Sequence, residues 1–147
     1  MTITYGPDTV QRRYDSPLGE VALAATPRGL AGLWFRDQRH WPAQHLDGPA
    51  AWPLHAAAHP VLDQAEAELA DFFAGRRTAF SVPLELPRGT DFQQAVWAAL
   101  QALPHGATYS YRDLAVVLGR PAAVRAVGAA VGRNPVSVIV PCHRVVG

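Results

Sequence analysis

Cysteine occurs once in this chain, at Cys142. That scarcity excludes an intramolecular disulfide and any multi-cysteine zinc site, and it fits a reducing compartment. No apolar run approaches membrane-spanning length, and the N-terminus lacks a basic segment leading into an apolar one. Neither a membrane span nor a secretory leader is therefore expected, and the cytoplasm is the expected location. Net charge is also small, +1 over 147 residues, so nucleic-acid binding would need a local basic patch. Internal repeats and low-complexity tracts are missing as well. What remains is an ordinary globular composition, 49% apolar and 17% charged, long enough to bury a core in one domain or two small ones.

Residues 1–9 carry no pattern. Strand-like text follows: Arg13-Tyr14-Asp15, a turn at Ser16-Pro17-Leu18-Gly19, Glu20-Val21-Ala22-Leu23-Ala24, a turn at Pro27-Arg28-Gly29, then 30–35. Short runs between Pro/Gly punctuation predict an antiparallel meander. The stretch 36–60 is irregular, with His40, His45, His55 and His59 scattered among Pro and Ala. His55 and His59 have the spacing of a metal pair on a helix, but no acid lies between them and no third ligand is evident, so they read as surface histidines. Periodicity predicts a helix over 60–77, with Val61, Leu62, Ala65, Leu69, Phe72 and Phe73 inward. Asp63, Glu66, Glu68 and Asp71 form its solvated face, and Gly75 ends it. Extended residues 80–87, with Pro83 and Pro87, read as a linker, dividing the chain into domains 1–86 and 87–147.

Beyond the linker the pattern turns helical. Thr90-Asp91-Phe92-Gln93 has capping-box spacing, and Phe92, Val96, Leu100 and Leu103 make the buried stripe of the helix that follows. Pro104-His105-Gly106 breaks it. Ser110 can cap a short helix over 111–118 that stops at Gly119, and Pro121 suits the first turn of a second helix reaching about 132. Two short helices across a tight Gly-Arg-Pro turn match a helix-turn-helix, although pairs in helical cores look alike.

The second helix carries Val124, Val127 and Val131 at core spacing. A second stripe of Ala122, Arg125, Gly128 or Ala129, and Gly132 is nearly bare of side chain. A glycine inside a helix costs up to about 1 kcal/mol relative to alanine, so the bareness should gain something. Close approach of another helix and close approach of a nucleic-acid backbone both satisfy that requirement. Asn134-Pro135 ends the helix, with Asn134 either a helix cap or a side-chain brace for the turn. A Val-rich strand over 136–140 then runs to Pro141-Cys142-His143-Arg144-Val145-Val146-Gly147. A thiol at the end of a rigid strand, followed by an imidazole and a guanidinium, is placed to ionise below its ordinary pKa of about 8.5. Taken alone, a single cysteine is more often an inert small hydrophobe in the core.

Taken together, these elements resemble the methylated-DNA–protein-cysteine methyltransferases, the O6-alkylguanine-DNA alkyltransferase family. The matching residues are Val96-Trp97, Pro104-His105-Gly106, Tyr109-Ser110-Tyr111, Leu114-Ala115, Gly119-Arg120-Pro121, Arg125-Ala126-Val127-Gly128, Asn134-Pro135 and Pro141-Cys142-His143-Arg144-Val145. The N-terminal half matches more weakly, at Ser16-Pro17-Leu18-Gly19, Gly29-Leu30 and Phe72-Phe73-Ala74-Gly75. The resemblance implies an α+β fold. Its N-terminal domain is a ribonuclease-H-like antiparallel sheet with a helix, and its C-terminal domain is helical with a helix-turn-helix.

It also implies roles. Cys142 takes the alkyl group from O6 of guanine irreversibly, so that each molecule reacts once, and His143 deprotonates it through a water. Tyr111 rotates the phosphate and contacts the flipped guanine, Asn134 is the hinge, and the backbone at Val145 helps hold the base. Arg125 fills the gap left in the stack. Ala122, Ala126, Gly128, Ala129 and Arg133 join Tyr111 and Arg125 against the minor groove, whose narrowness favours small side chains. The expected partner is double-stranded DNA containing O6-alkylguanine, met by a monomer, with no membrane, no cofactor and no metal. Family members continue past the active-site motif through a pocket-closing loop and a helix whose glutamate orients the histidine, whereas this sequence stops at Gly147. Loss of an orienting acid lowers rates by orders of magnitude. The alternative expectation is therefore an alkyltransferase-like protein that binds alkylated DNA with little or no transfer. Retention of Cys142 favours transfer, and a regulator with an incidental cysteine is the remote third reading.

Overall fold

The computed structural model describes residues 3–38, 40–103, 108–136 and the backbone at 145–146. It divides into two compact units, Tyr5–Pro87 and Met1–Thr4 with Arg88–Gly147. Among the described residues, no helix is long and apolar enough to cross a membrane.

In the first unit, β1 (Val10–Ser16), β2 (Gly19–Thr26) and β3 (Gly29–Phe35) form the expected antiparallel meander in the order β1-β2-β3. Val10 stands opposite Ala25, and Ala22 opposite Trp34. Both faces of β2 are covered from Val21 to its end, which is why this strand reads as a continuous apolar run rather than an alternating one. On one face, Ala22, Ala24 and Trp34 pack with Leu46, Tyr5, Trp41 and Trp52. Leu46 ends the short helix α1 (Ala43–Leu46). The other face is left to helix α2 (Pro60–Phe73), which packs on all three strands through Val61, Leu62, Ala65 and Leu69.

Several expectations change here. Helix α2 stops at Phe73 and not at 77, because Gly75 turns the chain at φ 76°, a left-handed geometry that glycine takes at no steric cost. Phe72 and Phe73 are only half-buried. Glu68 leaves the expected solvated face: it is 4% exposed, and its carboxylate accepts from the amides of Ser81 (2.8 Å) and Val82 (3.1 Å) and from Gln64 Nε2 (2.8 Å). His59 is no surface histidine either. It is the buried N-cap of α2, its Nδ1 accepting from the Leu62 amide at 3.3 Å. Burial, and more weakly the neighbouring charges of His55 and Arg12, hold its pKa below the ordinary imidazole value, which suits an acceptor nitrogen.

The stretch 80–87 is extended but docked. Leu30 donates to Pro83 O (2.7 Å), the Glu85 amide donates to Leu30 O (2.9 Å), and Glu85 pairs with Arg28. The approach is close enough that a Cβ on Gly29 would sit 2.7 Å from the Glu85 nitrogen, so only glycine fits there.

The second unit is a cluster of three helices, α3 (Asp91–Gln101), α4 (Tyr111–Val117) and α5 (Val124–Gly132), each packed on the other two. Thr90 and Gln93 form the expected capping box on α3. Val96 and Leu100 are buried, while Phe92 and Leu103 are half-buried. Helix α5 starts at Val124 rather than at Pro121. Residues 120–123 instead close a turn through the Ala123 amide to Arg120 O (2.9 Å), and Ala123 has no side chain with which to cap. Two short segments, β4 (Tyr109–Ser110) and β5 (Val145–Val146), pair in parallel. The expected break at Pro104-His105-Gly106, the strand over 137–140 and Pro141-Cys142-His143-Arg144 lie outside the described residues.

Candidate functional site

The described part of the candidate site is assembled at the start of α4 and the end of α5. Ser110 and Asp113 exchange hydrogen bonds, the Asp113 amide donating to Ser110 Oγ (3.0 Å) and the Ser110 amide to the Asp113 carboxylate (3.0 Å). The Ser110 amide first, and then its hydroxyl, hold the Asp113 carboxyl below its usual pKa. This box makes Tyr111 the first residue of α4. Two residues earlier, Tyr109 pairs with Val145, and Ser110 with Val146. The backbone that follows Arg144 is thereby joined to the strand leading into α4.

The Tyr111 ring lies on α5 at Gly128, where a Cβ would stand 3.5 Å from both Cδ2 and Cε2. Gly128 is thus half-covered, and the bare stripe does not run through it. The exposed small surface is Ala126, Ala129 and Gly132 on α5, with Ala122 in the preceding turn; Arg125 and Arg133 stand exposed beside it. Val127, Ala130 and Val131 face the core, while Val124, expected among them, is only half-buried at the helix start.

Asn134 is 3% exposed, and its Oδ1 accepts from the Val136 amide at 3.0 Å. This is an Asx-type bond two residues forward, and it braces the turn that leaves α5. Arg133, not Asn134, is the C-cap residue. Trp97 has no role assigned by the sequence, yet it bears on the same turn. It is fully buried, and its Nε1 donates to Ala130 O at 3.0 Å, tying α3 to the last turn of α5 just before Asn134. The signal is an indole beside Val96 on the buried side of the helix, since a buried Trp N–H needs a partner.

Charge is arranged unevenly. Among the described residues no ion pair engages Arg112, Arg120, Arg125 or Arg133, although Arg120 lies over the Phe92 ring at 5.5 Å. Within Tyr5–Pro87, by contrast, Arg12, Arg13, Arg28, Arg36 and Arg76 are all paired with carboxylates. Among the described residues no group of three or more His, Cys, Asp or Glu could hold a metal ion. Cys142, His143 and the side chain of Val145 lie outside the described residues.

Comparison with known proteins covers both units. The family model for the ribonuclease-like domain of 6-O-methylguanine DNA methyltransferase matches residues 10–86, and the model for its DNA binding domain matches 91–147. A methylated-DNA–protein-cysteine methyltransferase of Mycobacterium bovis is 44% identical over 137 residues, covering 92% of this chain and 77% of the relative. One from Methanosarcina barkeri is 39% identical over 133 residues, covering 90% and 79%. The crystal structure of Mycobacterium tuberculosis OGT in complex with DNA superposes with a TM-score of 0.79 at 42% identity, covering 93% of this chain and 78% of that one. A sheet unit matching the ribonuclease-like domain, a helical unit matching the DNA binding domain and this level of identity lead to one assignment: the chain belongs to the methylated-DNA–protein-cysteine methyltransferase family.

Proposed function

We propose that this protein repairs DNA by direct reversal, moving the alkyl group from O6 of guanine in double-stranded DNA onto Cys142. The observation that carries this reading is the parallel pairing of Tyr109 with Val145. By it, the chain emerging from Cys142-His143-Arg144 returns to the start of α4, where Tyr111 rests on α5. Three peptide units, about 11 Å at full stretch, separate Cys142 from Val145. Asn134 braces the other end of the same segment through Val136.

On this reading α4 and α5 act as a helix-turn-helix in the minor groove. The groove is about 6 Å wide, and Ala122, Ala126 and Ala129 offer the low surface it requires. Arg133 supplies positive charge beside the backbone. The O6 substituent is inside the base stack, so the guanine must be extruded, at a cost of a few kcal/mol. Arg125 occupies the vacated place, and Tyr111 meets the displaced nucleotide. His143, through a water, takes the thiol proton of Cys142. The thiolate then attacks the alkyl carbon: the S–C bond forms as the C–O6 bond breaks, the electron pair passes to O6, and a proton restores neutral guanine. The thioether has no route back, so each molecule, a cytoplasmic monomer, reacts once.

The test is intact-mass measurement after incubation with duplex DNA bearing O6-methylguanine. Replacement of one thiol hydrogen by methyl, absent in Cys142→Ala, is the expected result. Tight binding of the lesion duplex with no mass change would replace transfer by recognition alone.

A further inference from the structure

Gly128 is a glycine without an obvious conformational reason. It sits inside α5 and is not among the positive-φ glycines, so its backbone does not require it. Sterics do not require it either, because an added Cβ would be 3.5 Å from Cδ2 and Cε2 of Tyr111 and 4.0 Å from Cγ, ordinary contact distances. Alanine is the better helix former and stands at the neighbouring positions 126, 129 and 130. Glycine therefore leaves one methyl's worth of space beneath the ring that alanine would fill.

The Tyr111 ring is suited to use that space. Its backbone is fixed by the Ser110–Asp113 box and by the strand pairing of Tyr109 and Ser110. The side chain is half-exposed, and among the described residues no hydrogen bond holds its hydroxyl. A ring anchored at its root, with no side chain beneath it at position 128, can swing further toward α5, whereas a methyl at 128 would pin it from beneath.

We propose that Gly128 is a positioning residue whose missing side chain lets the Tyr111 ring move against α5 when duplex DNA is engaged. This rests on the function proposed above, in which Tyr111 meets the displaced nucleotide. Gly128 itself takes no part in the chemistry, and its effect should be confined to substrates that must be extruded from a helix.

The experiment compares transfer rates from O6-methylguanine in duplex DNA and from free O6-benzylguanine, whose base needs no extrusion. Gly128→Ala should melt at or above the wild-type temperature. Its duplex-to-free-base rate ratio should fall roughly tenfold, the modest end of what misplacing an orienting group costs. In a Tyr111→Ala background the same substitution should leave the ratio unaltered. An unchanged ratio in Gly128→Ala, or an equal fall in both backgrounds, overturns the inference while leaving the proposed function standing. A wild-type protein that accepts an alkyl group from neither substrate overturns both.

Discussion

Asn134→Ala tests how the turn leaving α5 is held. The substitution removes the acceptor for the Val136 amide, and both residues are essentially buried, at 3% and 0% exposure. A buried donor left without a partner costs about 1–3 kcal/mol. Taking about 2 kcal/mol, and 4–8 °C per kcal/mol for a small domain, melting should drop by roughly 8–16 °C. Transfer should suffer separately, because slack in this turn shifts everything downstream relative to α5, and a misplacement of about 1 Å can slow a reaction by about a hundredfold. Asn134→Ser supplies the control: its hydroxyl can make the same forward bond more weakly, so it should fall between wild type and alanine in both measurements. Circular-dichroism melts and single-turnover mass measurements, made well below either melting point, read the two effects. A serine variant as damaged as the alanine variant, or an alanine variant that transfers at the wild-type rate, would refute the brace.

Arg125→Ala should stay within about 0.5 kcal/mol of wild-type stability, as is usual for an exposed residue without an ion pair, while transfer from duplex DNA slows; equal rates in single-turnover assays would refute its proposed role. Glu68→Ala orphans the buried amide of Val82 and the part-buried amide of Ser81 and should lose about 1–3 kcal/mol by urea denaturation, so a loss below about 0.5 kcal/mol would contradict the carboxylate's role in docking 80–87. Asp47 has its pKa lowered first by the Trp41 indole N–H and then, more weakly, by Arg36 and Arg13. A depressed folded pKa adds stability above the unfolded value that is lost as pH falls through the folded one, so the gap between wild type and Asp47→Asn should be full at neutral pH and narrow steadily as pH falls through the unfolded carboxylate range near about 4 and below it, and a gap that stays constant across that range would contradict the assignment.

Much of the fold was legible because local chemistry and tertiary structure agree. The meander follows from turns at Ser16-Pro17-Leu18-Gly19 and Pro27-Arg28-Gly29, and each turn lies between strands that pair. Thr90 and Ser110 announce α3 and α4 by their side chains, and each makes its reciprocal bond. Two of the misses, at Glu68 and at 80–87, share one physical origin, a partner distant in sequence. Glu68 lies on what looks like a wet helix face until Ser81 and Val82 arrive thirteen and fourteen residues later. His59 looks like one scattered histidine, yet its role is set by where α2 begins. Extended residues beside two prolines look like a tether, and only the β3 edge reveals their dock. Helix α5 begins three residues after Pro121: proline suits a first turn, but residues 120–123 close a turn of their own.

At the candidate site, small residues were easier to notice than to interpret. Pattern alone left two explanations for a bare stripe on α5; the structure puts Gly128 under Tyr111 of α4 and leaves Ala129 and Gly132 exposed. Charge shows the same separation of parts. A net charge of +1 conceals seven arginines against ten carboxylates in residues 5–87 and six arginines against two aspartates in 88–147. In the first unit, arginines such as Arg12 and Arg13 are neutralised by neighbouring acids, an arrangement that ties strands to the loops and helix around them. In the second, the Asp113 carboxylate, next to Arg112 in sequence, is engaged in capping α4. Arginines left without carboxylate partners can bind phosphate without first breaking an ion pair. The small whole-chain charge is therefore no obstacle to nucleic-acid binding, since the field that matters is that of the unit carrying α4 and α5.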